Sequence, residues 1–313
     1  MPMEKVTVMA PASIANVGPG FDVFGLALKE PFDLVTAEKR KDKGVRVRKV
    51  EWATGRPVTL DPKRNTAAVA AARVLETAGA DFGVDLVIRK GVRPCSGMGS
   101  SGASAAGGAY AVNLLLQEPL SDIQLIACAA CGEEASSGSF HADNVAPSLL
   151  GGFTIVRSYE PLDVIRVKPP SSLGIVAALP DVQVPTKEAR EKVPQSVPLK
   201  SMVFQVGHAS ALAVGMAMRD MELIARSLRD KVVEPARAPL VPYLKEAEEA
   251  ALRAGAKASF LGGSGPCVAS FFDREEVNGE AIARAVREVY LQKGIGCSTW
   301  VTTWGRGSRR WRN

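Results

Sequence analysis

The segment SGMGSSGASAAGG at 96–108 concentrates Gly97, Gly99, Ser100, Ser101 and Gly102 where a loop gives way to a run of small residues. That combination suits an anion, and a phosphate above all. Glycine lets the backbone approach a ligand closely, the first-turn N–H groups of a helix lack intrahelical partners, and the helix dipole favours negative charge at that end. Serine hydroxyls in the same turn can reach a phosphate oxygen or a magnesium ion. A Gly–Ser turn that merely caps a helix explains one or two such residues, and five less readily. The three glycines also satisfy GxGxxG, but a dinucleotide site wants its first glycine at a strand end and an acidic residue about 20 positions later. Here residues 92–96 intervene between Gly91 and Gly97, and the region around Leu114 to Leu116 reads as helix. The nucleotide loop GxxxxGK[ST] does not occur.

A loop of this kind needs a strand ahead of it and a helix behind it. Apolar alternation predicts strands at about 5–9, 21–28, 32–38, 45–51 and 84–89, giving a strand-rich first third. Asn65 suits the N-cap of the alanine-rich helix that follows, and Gly79 suits its end. Further helices are predicted at about 103–116 and 122–135, then the strand FTIVRS at 153–158. The second half reads as a strand at LGIVAAL, helices near 200–217, 220–229 and 243–254, a strand–turn–strand at 258–272, a helix at 280–294 and a final strand, STWVTTW. Leaving aside the extra helices, the order β-α-β-β-α-β predicts a ferredoxin-like sandwich. The boundary is placed in the proline-bearing stretch 160–172, dividing the chain into 1–165 and 166–313. No internal repeat or low-complexity linker interrupts it.

At 313 residues and 46% hydrophobic content the chain can bury two cores. No apolar run is expected to approach the roughly 20 residues of a membrane span, and the opening MPMEKVTVMAPAS lacks a signal peptide's apolar stretch. A soluble, cytoplasmic protein without a membrane partner is expected. Cys95, Cys128, Cys131, Cys267 and Cys297 are odd in number and scattered, which argues for reduced thiols. Cys128 and Cys131 form a CxxC, but zinc needs about two more ligands and the chain holds only His141 and His208 as histidines. A net charge of +6 suits polyanionic ligands, nucleotide or nucleic acid. The basic clusters at 38–49 and 306–313 are not interleaved with aromatics enough to suggest base stacking, so they read as solvated surface and no nucleic-acid partner is expected.

Three segments, PASIANVGPGFD at 11–22, the glycine–serine loop, and FLGGSGPCVASFF at 260–272, together resemble the GHMP kinases, in the family's order and across nearly the whole chain. The form of the first segment, with Ser13 where galactokinase-like members carry lysine, and HADNVAPSLLGGF at 141–153 resemble the homoserine kinase branch. PTKEAR at 185–190 and EPARAPLVP at 234–242 look like that branch's substrate-side segments. The resemblance implies an α+β fold, with an N-terminal ribosomal-protein-like α/β domain that binds ATP and a C-terminal ferredoxin-like α/β sandwich.

It also implies ATP as co-substrate, Mg2+, and L-homoserine as acceptor in threonine biosynthesis; a homodimer is compatible with it. ATP would be bound by Asn65, by Arg93, Pro94, Cys95, Ser96, Gly97, Met98, Gly99, Ser100, Ser101, Gly102 and Ala103, and by Thr186. Ser101 and Glu133 would hold magnesium. Glu134 competes for that role, but counting back eight positions from His141, as in the family, selects Glu133; either could instead be a surface carboxylate. Homoserine offers a carboxylate, an ammonium and a hydroxyl. Arg190 and Arg237 suit the first, Asp22 the second, and Asn16, His141 and Asn144 the hydroxyl and its neighbours. No Asp–Lys pair of the galactokinase kind can be placed, so catalysis by positioning is expected, with Asn144 holding the hydroxyl. The alternatives are a related kinase for another hydroxylated metabolite, such as shikimate or a mevalonate derivative, a silent binding module, and an RNA-binding protein.

Overall fold

The computed structural model describes residues 3–52 and 58–312, apart from the side chains at 136 and 137. The first two residues of the opening segment and the last of the basic tail lie outside that range.

The first sheet takes β1 (Lys5–Ala15), β2 (Phe24–Arg40), β3 (Gly44–Glu51), and, after helix α1 (Thr66–Thr77), β4 (Gly83–Arg89). Helices α2 (Ser100–Asn113), α3 (Asp122–Ser137) and α4 (Val145–Leu150) follow, then the hairpin β5 (Phe153–Tyr159) and β6 (Leu162–Val167). The two strands predicted at 21–28 and 32–38 are one long strand, β2, which begins three residues later than expected because 20–23 form a turn. β2 pairs with β1 along its length, with β5 through Phe24–Leu26 and with β4 through Leu34–Arg40, so one strand joins both wings of the sheet. The predicted division at residue 165 falls inside β6, a half-exposed strand whose polar sequence gives a weak periodic signal.

The second sheet opens with β7 (Leu173–Pro180), buried at every residue, as a continuous apolar strand covered on both faces must be. Helices α5 (Thr186–Glu191), α6 (Leu199–Met218), α7 (Met221–Ser227), α8 (Val233–Arg237) and α9 (Leu244–Arg253) precede β8 (Ala258–Leu261) and β9 (Val268–Asp273). Helix α10 (Gly279–Leu291) and β10 (Cys297–Thr303) complete it. The order β10-β7-β9-β8, antiparallel throughout, is the split β-α-β of a ferredoxin-like sandwich. The chain then returns to the first sheet, where β11 (Arg309–Arg310) pairs with β1.

The expectation about apolar runs needs one correction. Helix α6 is 20 residues long with a mean hydropathy of 1.3, long and apolar enough by length and composition to cross a membrane. Lys200, Ser201, Gln205, His208 and Ser210 interrupt its apolar sequence.

Helix α2 carries the phosphate-type loop on its N-terminus and lies at the centre of the helical layer. Alanine, glycine and serine occupy nearly every position, and 12 of its 14 residues are buried. A side chain at Gly108 would strike the Ala67 carbonyl of α1, and one at Gly132 of α3 would meet Thr66 O. Small residues thus let three helices stack closely and bring α3 to the mouth of the loop.

Candidate active site

The loop that begins the site is held from beneath by a buried ion pair. The Lys90 ammonium donates to the Asp33 carboxylate, to Ser100 O at 2.9 Å and to Ser104 Oγ at 2.8 Å. The other Asp33 oxygen accepts from Gly91 N–H and Val92 N–H at 2.9 and 3.0 Å, and Ser100 Oγ donates to Val92 O at 2.7 Å. Each buried polar group therefore has a partner, and the start of the loop is tied to the start of α2. Gly99, with φ of +62°, turns the chain into the helix. The first intrahelical bond runs from Ala103 N–H to Gly99 O at 2.8 Å, so the N–H groups of Ser100, Ser101 and Gly102 precede it.

This helix start opens onto a cavity of about 300 Å³. Glu133 of α3 reaches the same cavity and is buried. Burial pushes its carboxyl up to about 7, against the lowering pull of the Ser101 hydroxyl and the Lys90 ammonium. A hard divalent cation fits here. It would add positive charge beside this buried carboxylate, with Ser101 and Glu133 as two oxygen ligands and phosphate and water completing the shell. Among the described residues no cluster of three or more His, Cys, Asp or Glu side chains offers a full protein-built metal cage.

The opposite wall gathers the charged groups. Asn16, Val17 and Asp22 all have positive φ, 69°, 45° and 56°, an unusual concentration of strain in one short segment and clearest at β-branched Val17. Asn16 Oδ1 accepts from Asp22 N–H at 3.2 Å, and Asn16 Nδ2 donates to Gly263 O at 3.0 Å. Arg190 of α5 donates to both Asp22 carboxylate oxygens at 3.0 Å and to His141 Nε2 at 2.8 Å. Burial and the two guanidinium groups lower the affinity of His141 for a proton, with Asp22 opposing them, so the imidazole is neutral and its nitrogen accepts. Arg237 of α8 is buried and donates to Ala189 O at 3.1 Å and Gly263 O at 3.0 Å. Both guanidiniums also lie over the Phe21 ring, at 5.5 and 5.3 Å from its centroid.

Between the two walls stands Asn144, whose Oδ1 accepts from Ser13 Oγ at 2.9 Å. That bond leaves the amide nitrogen as the side chain's donor. Asp143 beside it is buried, and its carboxyl is pushed up to about 8 by desolvation first and by the charges of Asp22 and Glu133 second.

All six predicted substrate-side residues, Asn16, Asp22, His141, Asn144, Arg190 and Arg237, line this one cavity. So do Asn65, Pro94, Cys95, Ser96, Gly97, Gly99, Ser100, Ser101 and Thr186 from the nucleotide-side set. Four do not. Arg93 turns outward to Asp181 at 2.6 Å, Met98 is buried in the core, and Gly102 and Ala103 face the packed side of α2. Asn65 caps α1 through its Oδ1 to Ala68 N–H and donates to Thr59 O. Sequence reasoning passed over Asp143, Phe21 and the Lys90–Asp33 pair. The first two lie inside or beside quoted motifs, whereas no local pattern marks a pair 57 residues apart.

The family GHMP kinases N terminal domain matches residues 65–152, and GHMP kinases C terminal matches 187–292. A homoserine kinase of Methanococcus vannielii is 39% identical over 302 residues, spanning 94% of this chain and 98% of that one. This chain belongs to the homoserine kinase family of GHMP kinases. A second homoserine kinase, from Chlorobaculum tepidum, is 40% identical over 312 residues, with 96% of each chain covered. The crystal structure of homoserine kinase from Cytophaga hutchinsonii superposes with a TM-score of 0.93 at 38% identity, covering 99% of this chain and 98% of that one. As a GHMP kinase the chain is an ATP-dependent phosphotransferase, and the start of helix α2 lies within the matched N-terminal domain.

Proposed function

We propose that the chain transfers the γ-phosphoryl group of ATP to the side-chain hydroxyl of L-homoserine, giving O-phospho-L-homoserine and ADP for threonine biosynthesis in the cytoplasm. The observation that carries the reading is the set Arg190, Arg237, Asp22 and His141 on the wall opposite the α2 N-terminus, in a chain about 40% identical to homoserine kinases. Asp22 and Arg190 already form an ion pair of the kind a bound amino acid would make with each. A zwitterionic substrate exchanges that pair for two of its own, its ammonium to Asp22 and its carboxylate to Arg190 and Arg237. Exchange of this sort desolvates no lone charge, which keeps the cost of binding low.

The hydroxyl then lies toward Asn144. Its amide nitrogen donates to the hydroxyl oxygen, fixing the lone pair used in attack, while Ser13 holds the amide from behind. No pocket carboxylate is an evident base. Asp22 is taken by the substrate ammonium, and Asp143 keeps its own proton at neutral pH. The hydroxyl proton therefore leaves late, with the transferred phosphoryl group, as a loose transition state permits. First-turn N–H groups of α2 receive the phosphate oxygens. Magnesium held by Ser101 and Glu133 would neutralise phosphate charge.

The test is ATP-dependent ADP release with L-homoserine, shikimate, mevalonate and galactose as acceptors, with the product identified by mass. Phosphohomoserine as the preferred product supports the reading. Turnover confined to another acceptor overturns the substrate-side roles and leaves the kinase standing.

A further inference from the structure

Every polar group of Asp22 is held, and one of the groups that hold it stands outside the cavity. The carboxylate accepts from Arg190 at 3.0 Å on each oxygen, and the N–H donates to Asn16 Oδ1 at 3.2 Å. The carbonyl accepts from the Tyr159 hydroxyl at 2.9 Å. Tyr159 is the last residue of β5, 137 positions along the chain from Asp22, and it does not line the cavity. The same strand meets this segment a second time, where Val156 N–H donates to Val23 O at 2.8 Å.

The Tyr159 oxygen also accepts from Ala142 N–H at 3.4 Å, and its ring meets Phe140 edge-on with the centroids 6.2 Å apart. Phe140 and Ala142 flank His141, and Ala142 lies two residues before Asn144. One hydroxyl therefore spans the two segments that carry Asp22 and Asn144. Burial first, then the carboxyls of Asp143 and Asp22, raise the phenol further above its ordinary value, against the pull of Ala142 N–H and Arg190. The group keeps its proton and stays a donor to the Asp22 carbonyl.

We propose, on the reading of homoserine as the acceptor, that Tyr159 is a positioning residue for ammonium recognition: by holding the Asp22 peptide it aims the Asp22 carboxylate into the cavity, and so favours acceptors that carry an amino group. Asp22 has φ of +56°, a conformation that persists in a non-glycine residue where the surroundings over-determine it. Asn16 ties its N–H side and Tyr159 its carbonyl side. Loss of the second tie frees the residue to swing its carboxylate away from the ammonium position, and misplacement of a binding group is costly. The sheet itself does not depend on this oxygen. β5 is held by ladder pairs to β2 and β6 that are made by backbone.

The test is Tyr159→Phe in the full chain, which keeps the ring and removes the oxygen. Steady-state ADP release is measured with L-homoserine and with 4-hydroxybutyrate for the native protein, Tyr159→Phe, Asp22→Asn and the double variant. KM for homoserine should rise about 3- to 10-fold, the value of one neutral hydrogen bond. The contact with the ammonium is equal in ground and transition states, so kcat should stay within about twofold, as should kcat/KM for 4-hydroxybutyrate. On the Asp22→Asn background the same change should add less than about twofold, because the group that Tyr159 aims is already gone. KM and the ratio of the two acceptors do not depend on the fraction of enzyme folded, so partial misfolding neither mimics nor hides the effect. An unchanged KM for homoserine, equal losses on both acceptors, or a full additional loss on the Asp22→Asn background would each overturn the proposal. Failure of the homoserine reading looks different: the native protein would then turn over another acceptor in place of homoserine, before any variant is made.

Discussion

Asn144→Ala isolates the positioning mechanism more cleanly than any other change in the cavity. The side chain makes no capping bond to α4, so the helix does not depend on it. Its Cβ, the atom that packs against Gly102 of α2, is retained in alanine. What disappears is one amide donor at the hydroxyl, together with the acceptor for Ser13 Oγ at 2.9 Å. A preorganised donor of this kind is worth about 2.7–4 kcal/mol in the transition state, or a fall of 10²–10³ in kcat. KM for the acceptor should change much less, since the charged groups that bind it are untouched. Ser13→Ala leaves the amide in place but unanchored. It loses one neutral hydrogen bond of about 1 kcal/mol, so a fall of about fivefold is expected. The assay is steady-state ADP release at saturating ATP and homoserine, with thermal melting to confirm an intact fold. If kcat for Asn144→Ala stayed within threefold of native at an unchanged melting point, the hydroxyl would be oriented by something else and the argument from positioning would be refuted.

Asp22→Asn should lower kcat/KM for homoserine by about 10- to 150-fold, the value of a charge-assisted bond of about 1.5–3 kcal/mol, while turnover of 4-hydroxybutyrate, which has no ammonium, changes little. Equal losses on both acceptors would remove Asp22 from ammonium recognition. Because Glu133 is pushed up to about 7, the carboxyl must release a proton to hold a cation, so apparent magnesium affinity should fall about tenfold per pH unit below 7 and level off above it. Titration of magnesium at fixed ATP across pH 5.5–8.5 reads this directly; Glu133→Gln should abolish the slope, and a flat native profile would exclude the assignment. Gly99→Ala places a methyl group onto Ser13 Oγ and Asn144 Oδ1 at a backbone φ of +62°, and kcat should drop by more than about 30-fold with a lowered melting point. Retained activity would show that the turn into α2 tolerates a side chain.

Much of this was legible in the sequence because local rules agreed with the global fold. The cap at Asn65, the small-residue helix α2 and the β-α-β-β-α-β order of the second half each follow from a periodicity or turn preference within a dozen residues. The elements that were missed are those whose reason lies elsewhere in the chain. β6 is a half-exposed edge strand defined by β5, and β11 is two residues that pair only because β1 has a free edge. Arg93 and Met98 carry no mark in the loop to show that one is drawn away by Asp181 and the other by the core. The six residues expected on the substrate side were selected through motif context, since an isolated arginine or aspartate more often lies on the surface, and the structure places all six on one cavity.

The third glycine-rich segment shows what a motif can do without touching a phosphate. Gly263 O accepts from both Asn16 Nδ2 and Arg237 Nη1, and Gly263 N–H donates to Ala15 O. Cys267 N–H donates to Ser96 O, and a side chain at Gly97 would strike Gly262 O. One tight turn of the second sheet is thereby threaded between the strained 16–22 segment and the nucleotide loop of the first. It ties the wall that carries Asn16 and Arg237 to the loop that leads into α2. On the proposed function, the distance between acceptor and phosphate would be set by backbone of both halves, held by hydrogen bonds that close only when the two sheets are docked. A mechanism that relies on alignment rather than on a strong base needs that rigidity, and the strain at Asn16, Val17 and Asp22 is tolerable because bonds from the other half hold it in place.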